Sequence, residues 1–308
     1  MTEHHSHNYV VLHRLKSSLS MMLGAKRPEK FSHRCVNSVV GGLFPSSFFL
    51  CPNFSSMSEA YVTQKINDGI AVIEFFHPQS NSLPGAILNK LAETINEAGQ
   101  NKEVLAILLQ SGGDRAFCAG ASFDELIAIE DKAQGKEFFS GFAKVINAMR
   151  TCPKFIVGRV QGKTVGGGVG VACSMDYCFA TKFASVKLSE LAVGIGPFVV
   201  GPAVERKVGK AAFSELAIAA SEWRSAEWAQ QRGMFAELFD SIDEMDAALA
   251  SFLQKVKSFN PEAMADMKRI FWEGTENWDE LLLRRAEVSG TLVLSEFTRN
   301  AINSFKTK

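Results

Sequence analysis

"VGGGVGVACSMDYCFATKFASVKLSELAVGIGPF", residues 165–198, is the stretch on which the fold turns. Three glycines, Gly166, Gly167 and Gly168, open it, and a short apolar run to Cys173 follows. One carboxylate, Glu190, stands near its end among Leu191, Val193, Ile195 and Phe198. Glycine at the entry to a helix lets the backbone approach a ligand closely. The first N–H groups of a helix have no partner within it and are electropositive. A second loop of this kind, Phe117-Cys118-Ala119-Gly120-Ala121, comes earlier in the chain. N–H groups from the two loops converging on one oxygen would form an oxyanion hole. Equally, both could be tight turns that packing requires. Neither loop has the G-x-x-x-x-G-K-[ST] pattern of a phosphate loop or the G-x-G-x-x-G of a dinucleotide fold.

Upstream, "YVTQKIND" and "GIAVIEFF" read as two strands joined by a tight turn at Asp68-Gly69. "AILNKLAETINEAG" has helical spacing, with Ile87, Leu88, Leu91 and Ile95 on one face. "VLAILLQS" is a continuous apolar run, the mark of a strand covered on both sides. A helix, "EFFSGFAKVINAMRTC", stops before Pro153, and the strand "KFIVGRV" leads into the glycine-rich stretch. Alternating strands and helices indicate an α/β fold with mainly parallel strands. Beyond about Val204 the strand signal is lost and five segments read as helices. Their many apolar residues suggest packing on something beyond the chain's own body. Met264, Met267, Trp272 and Trp278 are assigned to core.

The chain has 308 residues and equal numbers of acidic and basic side chains, which gives no sign of a nucleic-acid partner. No apolar run approaches the ~18 residues of a membrane span. The cysteines Cys35, Cys51, Cys118, Cys152, Cys173 and Cys178 contain no C-x-x-C pair and read as free thiols of a reducing compartment. His77 is the only histidine after His33, so a histidine-based triad or metal site has little to rest on. No metal is expected. Residues 1–56 are Ser- and His-rich, and the six basic residues Arg14, Lys16, Lys26, Arg27, Lys30 and Arg34 face only Glu3 and Glu29. This is the composition of a transit peptide, or of a segment preceding a true start at Met57. Cytoplasmic placement is expected, with the mitochondrial matrix as the alternative if the leader is a transit peptide. The domain plan is a leader over 1–56, a core over 57–255 and a helical region over 256–308.

Four motifs in order carry a family resemblance: "HPQSNSL", "SGGDRAFCAGASFDEL", "VQGKTVGGGVGVACSMDY" and "SELAVGIGPFVVGPAVERKVGK". Over roughly residues 61–308 the chain resembles the enoyl-CoA hydratase/isomerase family, the crotonase superfamily. That implies a crotonase-like spiral of ββα units with a C-terminal helical oligomerisation region, assembled as a homotrimer or hexamer. It implies an acyl-CoA thioester substrate, as in fatty acid metabolism, and no cofactor, coenzyme A being part of the substrate. The implied oxyanion donors are the N–H groups of Ala121 and Gly167, with Ala119, Gly120, Gly166, Gly168 and Phe198 against the substrate. Phe138, Phe139 and Phe142 fall in a segment that lines the acyl tunnel in this family, though they could equally be core.

Hydratases of the family use two glutamates. The second falls on Glu190; the first would stand at residue 170, which is Gly170 here. One acid suffices to move a proton between carbons, so the resemblance implies an isomerase with Glu190 as its catalytic base. A hydratase (a lyase) for an unusual or branched enoyl-CoA is the alternative, and a non-catalytic CoA-thioester-binding protein a third. The family's dienoyl isomerases carry an aspartate where Phe198 stands, which counts against that branch. Replacing Gly170 by Glu is expected to add some hydration if the pocket tolerates it. Asp176 is assigned a structural role, tying a loop or ending a helix. Asp124 and Glu125 suit the positive end of the helix they open, and Ser122 stands where many relatives have an acid.

Overall fold

The structure, a computed structural model, describes residues 59–306; the leader and its two cysteines lie outside them. β1 (Tyr61–Asn67) and β2 (Ile70–Phe76) form an antiparallel hairpin. Its turn residues, Asp68 and Gly69, both have positive φ, 49° and 79°, the backbone a two-residue hairpin requires. After β3 (Ser82–Leu83), helix α1 (Gly85–Gln100) buries Leu88, Leu91 and Ile95, with Ile87 at the rim of the same face.

From there the chain coils. β4 (Ala106–Ser111) is followed by β5 (Ala116–Cys118), β6 (Gly120–Ala121), the short α2 (Phe123–Ile127) and the long α3 (Lys132–Thr151). The next turn runs β7 (Phe155–Val160), β8 (Lys163–Val165) and α4 (Gly167–Ser174). The third runs β9 (Tyr177–Thr181), β10 (Ser185–Lys187) and, past a 3-10 turn at Leu191–Val193, α5 (Gly201–Ile218). Each turn lays one strand in each of two sheets. The first sheet has the order β1-β2-β4-β7-β9-β12 and the second β11-β10-β8-β5. Stacked turns pair in parallel, β4 with β7, β7 with β9, and β8 with β5 and β10. Strands within such a stack are covered on both sides, which is why β4 is almost wholly buried. α4 has no polar face, and all its residues are buried.

The last third departs from the all-helical expectation. Besides α6 (Ala226–Gln231), α7 (Ile242–Val256), α8 (Pro261–Phe271), α9 (Trp278–Leu292) and α10 (Glu296–Lys306), it supplies two short strands. β11 (Arg224–Ser225) pairs with β10, and β12 (Glu237–Phe239) extends the first sheet beside β9. Strands this short carry no period of their own; neighbours already in place make them. The helical region from residue 256 onward, as far as it is described, also shares its core with the rest of the described chain. Trp272, Trp278, Leu282 and Ala286 join the cluster of α1, α3 and α4, and Met264 packs with Ile70 and Val157. Met267, assigned to core, is exposed, as are Ile270 and Phe271 beside it. α9 lies on α3 so closely that a methyl group on Gly135 would be 2.7 Å from the Gly290 Cα.

Candidate active site

Asn81 holds the first loop in place. At φ 57°, a left-handed conformation Asn tolerates, it accepts from His77 N (2.8 Å) and donates to the carbonyls of Gly112 and Ala116 (2.9 Å each). Its own carbonyl takes the N–H of Ala119 at 3.2 Å. β3 then pairs with β6, setting Ser82 beside Gly120 and Leu83 beside Ala121. Ser122 caps α2 through Glu125 N, and Glu125 accepts from Gly85 N at 2.9 Å. An acid at 122 is therefore not required to start this helix: the serine oxygen takes the free N–H, and Asp124 and Glu125 supply negative charge in the first turn.

The second loop ends β8. Gly166, at φ 53°, donates to the Lys187 carbonyl at 2.9 Å, which ties it to the strand leading to Glu190. Gly167 begins α4 and its N–H belongs to the first turn, without a helical partner. The two loops adjoin: a methyl group on Gly120 would lie 3.2 Å from the Val165 carbonyl and 3.8 Å from Gly167 N. Glu190 comes to the same place. A methyl group on Gly166 would lie 3.2 Å from Glu190 Oε1. One cavity of about 210 Å³ is lined by Ala119, Gly120, Ala121, Gly166, Gly167, Glu190 and Phe198. Gly168, expected against the substrate, does not line it. It faces Cys118, whose Cβ would be 2.7 Å from a methyl group there, so its glycine serves packing. Phe138, Phe139 and Phe142 form an aromatic wall of the cavity. The ring of Phe142 sits so close over Gly167 that no side chain fits beneath it.

Part of the Glu190 residue reaches the cavity, but its carboxylate is buried, and Oε2 has no hydrogen-bond partner among the described residues. Desolvation pushes its pKa up to about 7, against a smaller lowering by its own backbone N–H. The other acid, Asp176, is far from idle. It follows α4, accepts from Ile156 N at 2.7 Å and forms a buried ion pair with Lys268 at 2.6 Å. Lys207 donates to the carbonyls of Met175 and Asp176 at the same corner. His77 ends the hairpin outside the cavity, with Nδ1 accepting from Gln79 N. Cys118, Cys152, Cys173 and Cys178 are free and buried, and burial pushes Cys118, Cys173 and Cys178 up to about 12. Among the described residues no three His, Cys, Asp or Glu side chains gather as a metal site would need. No helix among the described residues is long and apolar enough to cross a membrane.

A family model described as enoyl-CoA hydratase/isomerase matches residues 65–297. The chain belongs to that family. The short-chain-enoyl-CoA hydratase of Clostridium acetobutylicum is 26% identical to this family member over 239 residues, 77% of this chain and 90% of that protein. The peroxisomal Delta(3,5)-Delta(2,4)-dienoyl-CoA isomerase of Arabidopsis thaliana is 25% identical over 211 residues, 64% of this chain and 74% of the other. The crystal structure of an enoyl-CoA hydratase from Bacillus halodurans superposes with a TM-score of 0.73 at 20% identity, covering 79% of this chain and 99% of that one. The likeness is one of fold, and the fold of this enoyl-CoA hydratase/isomerase member is the crotonase spiral. Hydratases and an isomerase both stand among its relatives, so the kind of turnover has to be argued from the cavity.

Sequence reasoning did not single out Asn81, which holds the first loop, nor Val200 and Ser289 of the cavity lining. Asn81 is signalled by an Asn in a loop that needs a left-handed residue. Val200 and Ser289, from α5's approach and from α9, line the same cavity and carry no local signature.

Proposed function

We propose that this protein isomerises an enoyl-CoA, moving a double bond by proton transfer through Glu190. The thioester oxygen is received by the N–H groups of Ala121 and Gly167. Glu190 takes a proton at one carbon of the acyl chain and returns it at another. The enolate formed between the two steps carries its charge on that oxygen. Preorganised donors stabilise such charge by roughly 3 kcal/mol each. The thioester itself makes the α-proton acidic, so the step as written draws on no metal and no cofactor.

The observation that carries this reading over a hydratase is the packing at Gly170. A methyl group there would be 2.6 Å from Val200 Cγ1 and 2.7 Å from its Cβ. The space that the first glutamate of the family's two-acid members would need is filled by a valine. Phe198 keeps the wall beyond Glu190 apolar, which speaks against the dienoyl branch with its aspartate. The expectation that Gly170→Glu adds hydration is therefore revised. The variant should lose several degrees of Tm, because overpacking costs about 1–3 kcal/mol before any charge is buried, and should hydrate nothing. Hydration by G170E at an undiminished Tm would show that the valine gives way.

The deciding assay is short. With a 3-enoyl-CoA the absorbance of the conjugated thioester should rise. Loss of that absorbance from a 2-enoyl-CoA would favour the hydratase, and binding without turnover the non-catalytic reading.

The proposed assembly is a trimer or hexamer. Met267, Ile270 and Phe271 of α8, Leu283 and Val288 of α9 and Phe297 of α10 are exposed, a surface suited to a second copy of the chain. Light scattering at micromolar concentration should give a mass at least three times that of the monomer; a monomer would refute it.

A further inference from the structure

The cavity wall holds a hydroxyl that the reaction above leaves unused. Ser289, in α9, is 1% exposed and lines the cavity. It forms no side-chain hydrogen bond among the described residues, although a helical serine can bond to the carbonyl four residues back, as Ser140 and Ser174 do. Of the other polar lining residues, Ser189 and Glu190 belong to the segment of the proposed base, and two more are engaged elsewhere. Ser82 donates to the Ala121 carbonyl at 2.9 Å, and Gln79 donates to Asp124 at 3.0 Å. A hydroxyl of a cavity lining that has no partner in the protein is solvated by water or by a ligand. Placed in a binding cavity, it fits a ligand that brings the partner.

The position of Ser289 says which part of the ligand. α9 meets α3 where Gly135 and Gly290 touch. Ser289 therefore stands about one helical turn from Phe138 and Phe139, on the aromatic wall. That wall belongs to α3 and α9, not to the loops of Gly120, Gly167 and Glu190. On the reading above, that wall faces the acyl chain of the thioester. Among the described residues no lysine or arginine lines the cavity, so a carboxylate on the acyl chain would be buried without a counter-charge. A neutral oxygen meets both conditions.

Resting on the acyl-CoA reading above, we propose that Ser289 is a specificity-determining residue that selects acyl groups bearing a hydroxyl or oxo oxygen beyond the reacting carbons. Binding of non-reactive saturated thioesters tests it without turnover. The full chain is titrated calorimetrically with hexanoyl- to octanoyl-CoA and with their counterparts carrying a hydroxyl on the penultimate carbon. At the best length the hydroxylated ester should bind about tenfold more tightly than the plain one. In Ser289→Ala that preference should vanish while the plain ester binds as well as before, which also reports that the variant is folded. A preference absent at every length, or one that survives in S289A, overturns the assignment and leaves the isomerase reading standing. Failure of every ester to bind the wild-type chain overturns both.

Discussion

Glu190→Gln is expected to lower turnover of a 3-enoyl-CoA by at least a hundredfold, within the roughly 10²–10⁴ that a positioned base contributes. Gln keeps the shape of the side chain and cannot accept the α-proton, so the loss should fall on kcat with KM little changed. The wild-type rate should rise with pH and level off above about 7, where the carboxylate is ionised. The same group makes an opposite demand on stability. Its pKa is near 4.5 unfolded and about 7 folded, so the folded state favours the protonated form. Stability is then unaffected below about 4.5, falls as pH rises from there to about 7, and stays reduced above. The full difference is on the order of 3 kcal/mol. E190Q is neutral at every pH, so urea unfolding should find it as stable as wild type at pH 4 and more stable at pH 8. Wild-type turnover by E190Q would refute the one-acid mechanism; equal stability at pH 8 would refute the burial of the charge.

The second large effect concerns the corner behind α4. Lys268→Met is expected to lower the unfolding free energy by about 3–5 kcal/mol, because it leaves the Asp176 carboxylate buried without its counter-ion. Both side chains are nearly inaccessible, 2% and 7% exposed. The double variant Asp176→Asn/Lys268→Met should recover most of the loss, since Asn still offers an oxygen to Ile156 N and no buried charge remains. Chemical denaturation of the three proteins decides it. A loss below 1 kcal/mol in K268M would mean that Lys207 and the neighbouring backbone already compensate the acid.

What could be read in the sequence was what neighbours in the chain determine. Asp68-Gly69 forms its turn from local backbone preference. The apolar run of β4 reports burial on both faces, and the polarity-free α4 reports a helix with no outside. Glu190 was legible because an acid in such apolar company is unusual and because a motif surrounds it. The features that escaped belong to contacts between distant segments. β12 is a strand because β9 offers it an edge, and nothing in Glu237–Phe239 says so. Val200 is decisive only because Gly170 lies beneath it. Ser289 looks like any helical serine until α9 is laid on α3. Gly168 shares a motif with Gly166 and Gly167, yet it faces Cys118, a direction that spacing does not encode.

The groups proposed to hold the thioester oxygen are peptide N–H groups contributed by successive turns of the coil. No side-chain substitution at Ala121 or Gly167 deletes such a group, short of proline; it can only crowd it. That lets the anion-holding part persist while residues 190, 198 and 289 vary around it; Gly167 is confined by Phe142, and 170 and 200, in contact, have to change together. On the proposed mechanism the backbone keeps the intermediate, and a handful of side chains decides its fate. Kinship within such a family is thus a guide to what can be formed in the cavity, and the individual side chains to what becomes of it.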